Sequence, residues 1–514
     1  LGQDRLGRWL APSHSWHSRL PEDVAQSATT HRAGATEVAG VCAGLSQVPR
    51  VFHDISAEYR EAFEQHYALT DSLLSLATIP ADFSRTRRVL QKLAGNETVI
   101  VEVFGGSFTA GSGCGENTTH ERNVCSWSGR AANWWAHAFP GRPVRWENRA
   151  TSGMSSEFLL GGIGAIVHGW REPPDLVFVA CSVNDASPTW SRNHLIGFEG
   201  IIRTVRTLLP DTQLVLVEDG CTGCVRQAGG RRQLARHYGV PVVDYAAVVK
   251  GHNRASPDGP DRFWPRTYPH LRPNRPGGPP LFTVPGYYWP DFVPNVSVTK
   301  TTCCPDNHPP WVVHQYYSDI VSSLLLQMLQ SACAGGARER EAPALPAPVG
   351  PQDQLDRMSG CLRPLTRYDA GEPASWREGI EARGGWSLAE DVPGRPGWIS
   401  TRVGSTISFR VRFGHRAVLS LGYLRSYEGV GSATVEAYGA RSNLRQSSPV
   451  KTLDGAWADR ISNPVTYVAF EGWDPPIQNF RTAHEKAEVD VYEAIVKFTH
   501  ASGPKFKVIS VISC

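Results

Sequence analysis

Four short blocks carry the residue types needed for covalent chemistry at a carbonyl: Gly105-Gly106-Ser107, Asn148 to Gly153, Asn184-Asp185 and Asp306-Asn307-His308, in that order. A serine hydroxyl becomes a useful nucleophile when a base takes its proton and a third group orients that base. Hydrogen-bond donors must also meet the negative charge that develops on the carbonyl oxygen. Ser107 supplies the hydroxyl, His308 an imidazole, Asp306 a carboxylate and Asn184 a side-chain N–H. Glycine at 153 lets a backbone N–H approach a bound carbonyl closely. The chemistry open to this set is acyl transfer through serine.

Residues so far apart in sequence meet only if a scaffold brings their loops together. From Thr98 onward, short apolar runs alternate with amphipathic stretches of helix length, which predicts βαβ units and a parallel sheet. The expected strands are Val99 to Phe104, Val144 to Glu147, Asp175 to Cys181, Gln213 to Glu218 and Val240 to Asp244. Helices are expected at Gly129 to Phe139, Ser155 to His168, Leu195 to Leu209, Gln227 to Tyr238 and Trp311 to Leu329. The result is a three-layer α/β/α domain. Its first three blocks then fall at carboxyl ends of strands, where open α/β sheets bind ligands. His314, inside the last helix, is the rival base and reads as packing or surface. Asp185 reads equally as a cap, and Asp244 as a strand-end turn residue.

Block order, strand-end placement and residue types together resemble the SGNH hydrolase superfamily, the GDSL esterases and lipases. The resemblance covers about Thr98 to Leu329. It implies a flavodoxin-like doubly wound sheet, with Ser107 as nucleophile, His308 as general base and Asp306 fixing the imidazole. The oxyanion would be held by the Ser107 and Gly153 backbone N–H groups and the Asn184 side chain, with no metal and no cofactor. Two positions depart from the family pattern. Gly106 stands where Asp commonly precedes the serine, and Asp306 lies two residues before His308 rather than three. If Asp306 points away, a backbone carbonyl would orient the ring and leave a Ser-His dyad.

The 514 residues exceed what one hydrophobic core usually serves, so more than one domain is expected. Residues 1–95 read as an N-terminal helical or irregular extension, with helical stretches at Ala57 to Leu76 and Ser84 to Ala94, and 96–333 as the catalytic-type domain. Within that domain, 256–294 form an insertion rich in Pro and aromatics. Residues 334–354 read as a linker and 355–514 as an all-β, sandwich-like domain. In the last, Ile407, Phe409, Val411 and Phe413 alternate with Ser408, Arg410 and Arg412 as in a half-buried strand. Further β runs are expected at 418–421, 434–438, 467–470, 489–498 and 506–513.

A net charge of +3 leaves no field of one sign, and no Lys/Arg run is interleaved with aromatics, so no nucleic-acid partner is expected. No apolar run reaches the ~18–20 residues of a transmembrane helix. Residue 1 is Leu, so any signal peptide is expected to precede this sequence. Sequons at Asn96, Asn117 and Asn295 beside eleven cysteines favour secretion or an endomembrane lumen. A Cys114–Cys125 bridge would hold the loop after the nucleophile block. Cys221 and Cys224 are spaced as a redox motif or a structural bridge, the latter extending to Cys303 and Cys304, with zinc binding by the four as the lesser alternative. Cys361 and Cys514 would staple the β domain.

These readings converge on a serine esterase acting on O-acyl groups, acetyl foremost, of a glycan. A glycan O-acyltransferase using the same site, and a non-catalytic glycan-binding or cell-surface protein, are the alternatives.

Overall fold

The computed structural model describes residues 34–55, 60–61, 64, 67, 69–112, 114, 124–186, 194–218, 225–248, 311–334, 344–351, 355, 364–371, 379–392, 395–414, 418–440, 450–457, 462–469 and 491–514.

The first sheet contains β1 (Thr78–Ile79), β2 (Val99–Gly105), β3 (Val144–Asn148), β4 (Leu176–Ala180), β5 (Gln213–Glu218) and β6 (Val242–Asp244), in the spatial order β1-β6-β5-β4-β2-β3. Strands β2 to β6 are parallel, and β1 joins β6 antiparallel. Leaving β1 aside, the order is that of the doubly wound flavodoxin type, and its reversal point lies between β2 and β4. Every residue of β2 is buried, as expected of a central parallel strand covered on both faces.

Side chains of β2 alternate between two cores. Val99, Val101 and Val103 face a layer built from α4 (Trp127–Ala138) and α8 (Trp311–Ala334), with α1 (Ala35–Gly44), α2 (Asp71–Leu76) and α3 (Thr86–Ala94) around them. Phe104 faces the other layer, made by α5 (Ser156–Gly169), α6 (His194–Leu208) and α7 (Val225–Tyr238). Trp127, Trp134 and Trp135 of α4 are fully buried on the first side. Ser126 and Ser155 cap α4 and α5, accepting from Gly129 N and Phe158 N.

The described part of the segment before β2 carries α1, α2 and α3 with irregular stretches between them. A continuous helix over 57–76 does not form, because Thr70 is extended (ψ 164°) and its hydroxyl caps α2 by accepting from Leu73 N. Leu45, Ile55, Leu69, Leu74, Val89, Leu90 and Leu93 enter the same core as β2 and α8. A disulfide between Cys42 in α1 and Cys333 in α8, 291 residues apart in sequence, clamps the segment to the domain.

The C-terminal region is a sandwich of two antiparallel sheets over one core. Its strands are β7 (Thr366–Asp369), β8 (Ile380–Arg383), β9 (Trp386–Glu390), β10 (Pro396–Ser400), β11 (Thr406–Phe413), β12 (Leu419–Ser426), β13 (Ser432–Gly439), β14 (Lys451–Asp454), β15 (Ser462–Ala469), β16 (Tyr492–Ser502) and β17 (Phe506–Ser513). One sheet runs β15-β12-β17-β10-β9 with β7 also on β17, and the other runs β14-β13-β16-β11-β8. The alternating apolar residues of β11 are at most 1% exposed. Strands β8, β9 and β14 lie at sheet edges and are mostly exposed, so their sequences lack the alternation that marks the inner strands.

The two domains meet through small residues. A Cβ on Gly161 of α5 would lie 2.6 Å from Thr466 Cγ2 of β15, so only glycine lets the helix sit this close. Ser420 of β12 donates to the Gly161 carbonyl (3.4 Å), and Phe158 packs beside Gly422. Residues 344–351 are pinned to the α/β domain. Val349 N and Gly350 N donate to the buried Glu199 carboxylate at 2.6 and 2.7 Å, and Arg203 donates to the Pro346 carbonyl.

Candidate active site

The carboxyl edge of β2 is tied directly to its two neighbours. Gly106 N donates to Ala180 O at the end of β4 (3.3 Å), and Thr151 N, after β3, donates to Gly105 O (2.9 Å). Arg149 N donates to Val103 O, and the Arg149 guanidinium pairs with Glu102 of β2. Asn148 Nδ2 donates to Thr109 O (2.8 Å), joining the second block to the turn that carries Ser107. That turn is closed by Ala110 N to Gly106 O and Ser112 N to Ser107 O. Ser107, Gly153 and Asn184 therefore stand on three loops gathered at the reversal point of the sheet, with Ser107 half-buried.

Contact between these loops depends on missing side chains. A Cβ on Gly105 would lie 2.4 Å from Thr109 Oγ1 and 2.7 Å from Ala180 O. A Cβ on Gly106 would lie 2.6 Å from Asn184 Oδ1 and 2.9 Å from its Nδ2. The Asn184 amide thus occupies the space that any side chain at 106 would need, which gives a physical reason for glycine where the family commonly has Asp. Gly153 has φ +82°, a conformation costly for other residues. Among the described residues, neither the Gly153 N–H nor the Asn184 side-chain amide has a hydrogen-bond partner, so both remain available to a ligand.

Behind Asn184, Asp185 is buried, and its Oδ1 accepts from Ser156 N at the start of α5 (2.9 Å), so it caps a helix. Its Oδ2 is buried without a partner. Burial raises the Asp185 carboxyl to about 7, against the lowering effects of the Ser156 N–H and Arg231. Burial likewise raises Glu157, in the first turn of α5, to about 7. Arg231 forms a buried pair with Glu218 at the end of β5. Asp244 pairs with Arg232 and accepts from Ala247 N, a structural role at the end of β6.

His308 and Asp306, with Asn307, lie outside the described residues, as does the insertion at 256–294. His314 is fully buried in α8. Its Nδ1 accepts from Trp127 N (3.1 Å), and its ring packs on Phe108. Its Nδ1 lone pair is therefore engaged at the start of α4, which makes His314 a structural residue. A second His-carboxylate pair, His53 Nε2 with Asp319 Oδ2 at 3.0 Å, left no signal in the sequence because 266 residues separate its members. Asp319 also accepts from Tyr67 and Gln315, and Gln315 accepts from Arg130. This buried network fixes α8 against α4 and the N-terminal segment.

Cys114 and Cys125 are disulfide-bonded, closing the stretch between the Ser107 turn and α4. Cys221, Cys224, Cys303, Cys304 and Cys361 lie outside the described residues, and Cys514 is disulfide-bonded. Asn96 is exposed at the end of α3 with φ 55°, where Asn is tolerated, while Asn117 and Asn295 lie outside the described residues. Among the described residues no group of three His, Cys, Asp or Glu side chains is placed to hold a metal ion, and no helix is long and apolar enough to cross a membrane.

Two outcomes are expected. Gly106→Ala displaces the Asn184 amide and lowers kcat for ester hydrolysis by on the order of 10–100-fold, with circular dichroism unchanged. The second concerns pH. Because the folded-state values of Asp185 and Glu157 are raised, the native state holds protons that the unfolded chain has released. Their stabilising contribution is complete below about 4 and is lost as pH rises through about 7. Thermal unfolding from pH 4 to 8 should show this decline, and Asp185→Asn should flatten it.

Residues 103–277 match the sequence model of the GDSL-like lipase/acylhydrolase family. The matched span contains Ser107, Gly153 and Asn184 and ends before His308. A search of curated protein sequences found no match. Among solved structures, a two-domain esterase active on acetylated mannans is 16% identical, with TM-score 0.54, covering 85% of this chain and 97% of that one. The same description applies to a crystal grown with mannopentaose, which is 15% identical, with TM-score 0.51 and the same coverage. This likeness extends through both domains and establishes the two-domain fold. Together with the doubly wound sheet, the family match shows that residues 103–277 carry a GDSL-like lipase/acylhydrolase (SGNH) domain, which supports a serine hydrolase of carboxylic esters.

Proposed function

We propose that the protein is a secreted esterase that removes O-acetyl groups from a glycan through a serine acyl-enzyme. The observation that carries this reading is the convergence of the Ser107 turn with the Gly153 N–H and the Asn184 amide, two donors without partners among the described residues. Ser107 attacks the ester carbonyl. The oxyanion is met by the Ser107 and Gly153 backbone N–H groups and the Asn184 amide, a preorganised arrangement whose individual donors are typically worth on the order of 10²–10³-fold in rate. His308 accepts the serine proton and returns it to the departing sugar hydroxyl, and Asp306 orients the imidazole. Water then releases the acetyl group by the same path reversed.

The glycan part of the reading is supported by the likeness, over both domains, to an esterase described as active on acetylated mannans. Secretion is supported by disulfide bonding, with Cys42–Cys333 and Cys114–Cys125 paired and Cys514 also bridged.

The test is release of acetate from acetylated mannan and from p-nitrophenyl acetate. Ser107→Ala and His308→Ala should each lower kcat by on the order of 10³-fold or more, and Asn184→Ala by roughly 10²-fold. Asp306→Ala should cost less than His308→Ala if a Ser-His dyad operates. Full activity in Ser107→Ala would remove the serine mechanism. Acetyl transfer to an added acceptor glycan in preference to water would make the enzyme an acyltransferase.

A further inference from the structure

The β-sandwich has its own concave site, remote in sequence from the catalytic blocks. A cavity of about 490 Å³ opens where β7 of one sheet meets β11 of the other, and it is lined by Arg367, Tyr368, Arg410, Arg412 and Glu493. Its volume lies within the roughly 300–1,000 Å³ of small-ligand sites. The floor is held in place. Tyr368 Oη donates to Arg410 O (2.6 Å), Arg410 N donates to Gly379 O (2.8 Å), and Arg412 N donates to Thr366 Oγ1 (2.8 Å). Gly379, with φ +99°, leaves room for the Tyr368 hydroxyl, since a Cβ there would lie 2.4 Å from it.

The three guanidinium groups differ in how they are neutralised. Arg367 pairs with Asp369 at 3.3 Å. Arg410 meets Glu493 at 3.6 Å, with both side chains more than half exposed, a pair that water screens and a ligand can displace. Arg412 stands opposite Glu493 in the β11–β16 register, yet its guanidinium has no hydrogen bond or ion pair among the described residues. The cavity therefore presents one uncompensated guanidinium and a second in a weak pair, on a wall shared with an aromatic ring. Planar guanidinium forks match a carboxylate in bidentate geometry.

We propose that this cavity binds the carboxylate of a uronic acid residue, so that the β-sandwich selects an acidic glycan for the esterase domain. The sugar assignment rests on the glycan-esterase reading above, whereas the carboxylate assignment rests on the cavity alone.

The test uses the full chain and calorimetric titration with tetragalacturonate, with mannotetraose and with sulfate, for wild type, Arg412→Gln and Arg412→Lys. Tetragalacturonate should bind saturably and mannotetraose should not. Arg412→Gln should weaken tetragalacturonate at least tenfold, and Arg412→Lys should fall between, keeping the charge but losing the fork. Turnover of p-nitrophenyl acetate should be the same in all three proteins. Unchanged affinity in Arg412→Gln, equal binding of mannotetraose, or no binding of tetragalacturonate would overturn the proposal. Sulfate competing as well as tetragalacturonate, mole for mole, would reduce the cavity to a general anion site and overturn the sugar assignment. Absence of p-nitrophenyl acetate turnover in the wild type would defeat the esterase reading separately, since the titrations do not depend on catalysis.

Discussion

The close approach of three backbones at the end of β2 is the constraint from which the site follows. Gly105 and Gly106 carry no side chains, so Thr109 and Ala180 O can press against the first and the Asn184 amide against the second. Backbone hydrogen bonds from Gly106 N to Ala180 O and from Thr151 N to Gly105 O then lock the loops of β2, β3 and β4 into one unit. A side chain at Gly105 would press on the Ala180 backbone, and one at Gly106 would displace the Asn184 amide, and donors must be positioned to a fraction of an ångström. The glycine at 106, which departs from the family's usual Asp, is what lets the Asn184 amide lie where it does in this chain.

The rest of the molecule supports that edge from behind. Helix α5 begins just after the Gly153 turn, and its first turn is held by the Ser155 cap and by Asp185, the neighbour of Asn184. The same helix presents Gly161 to the β-sandwich at a distance only glycine permits. One rigid element therefore runs from the Gly153 loop to the second domain. On the other face of the sheet, the network from Arg130 through Gln315 and Asp319 to His53 and Tyr67 fixes α8. Buried polar networks of this kind define geometry more than they add stability. Here the geometry defined is that of the helix that follows the His308 block in the chain.

Much of this was legible in the sequence, for reasons that can be named. The parallel strands announced themselves as short apolar runs because both faces are covered, and β11 as a strict alternation because only one is. Ser107, Gly153 and Asn184 could be placed because each follows such a run. Less was legible where tertiary contacts decide. The helix expected over 57–76 is not continuous, since Tyr67, Leu69 and Thr70 are not helical and the Thr70 hydroxyl caps α2 instead. Strands β8, β9 and β14 are polar because they lie at edges. The Cys42–Cys333 bridge and the His53–Asp319 pair join residues 291 and 266 positions apart, and no local pattern records them. The fit of Asn184 against Gly106 is likewise invisible until the loops are folded together.

The central claim is that Ser107 is the activated nucleophile of this edge. It is tested most directly by reacting the intact protein with a fluorophosphonate at pH 7.5 and mapping the adduct by peptide mass spectrometry. The account predicts one stoichiometric adduct on Ser107, lost in Ser107→Ala and strongly slowed in His308→Ala. An adduct on another serine, or equal labelling of wild type and Ser107→Ala, would contradict it.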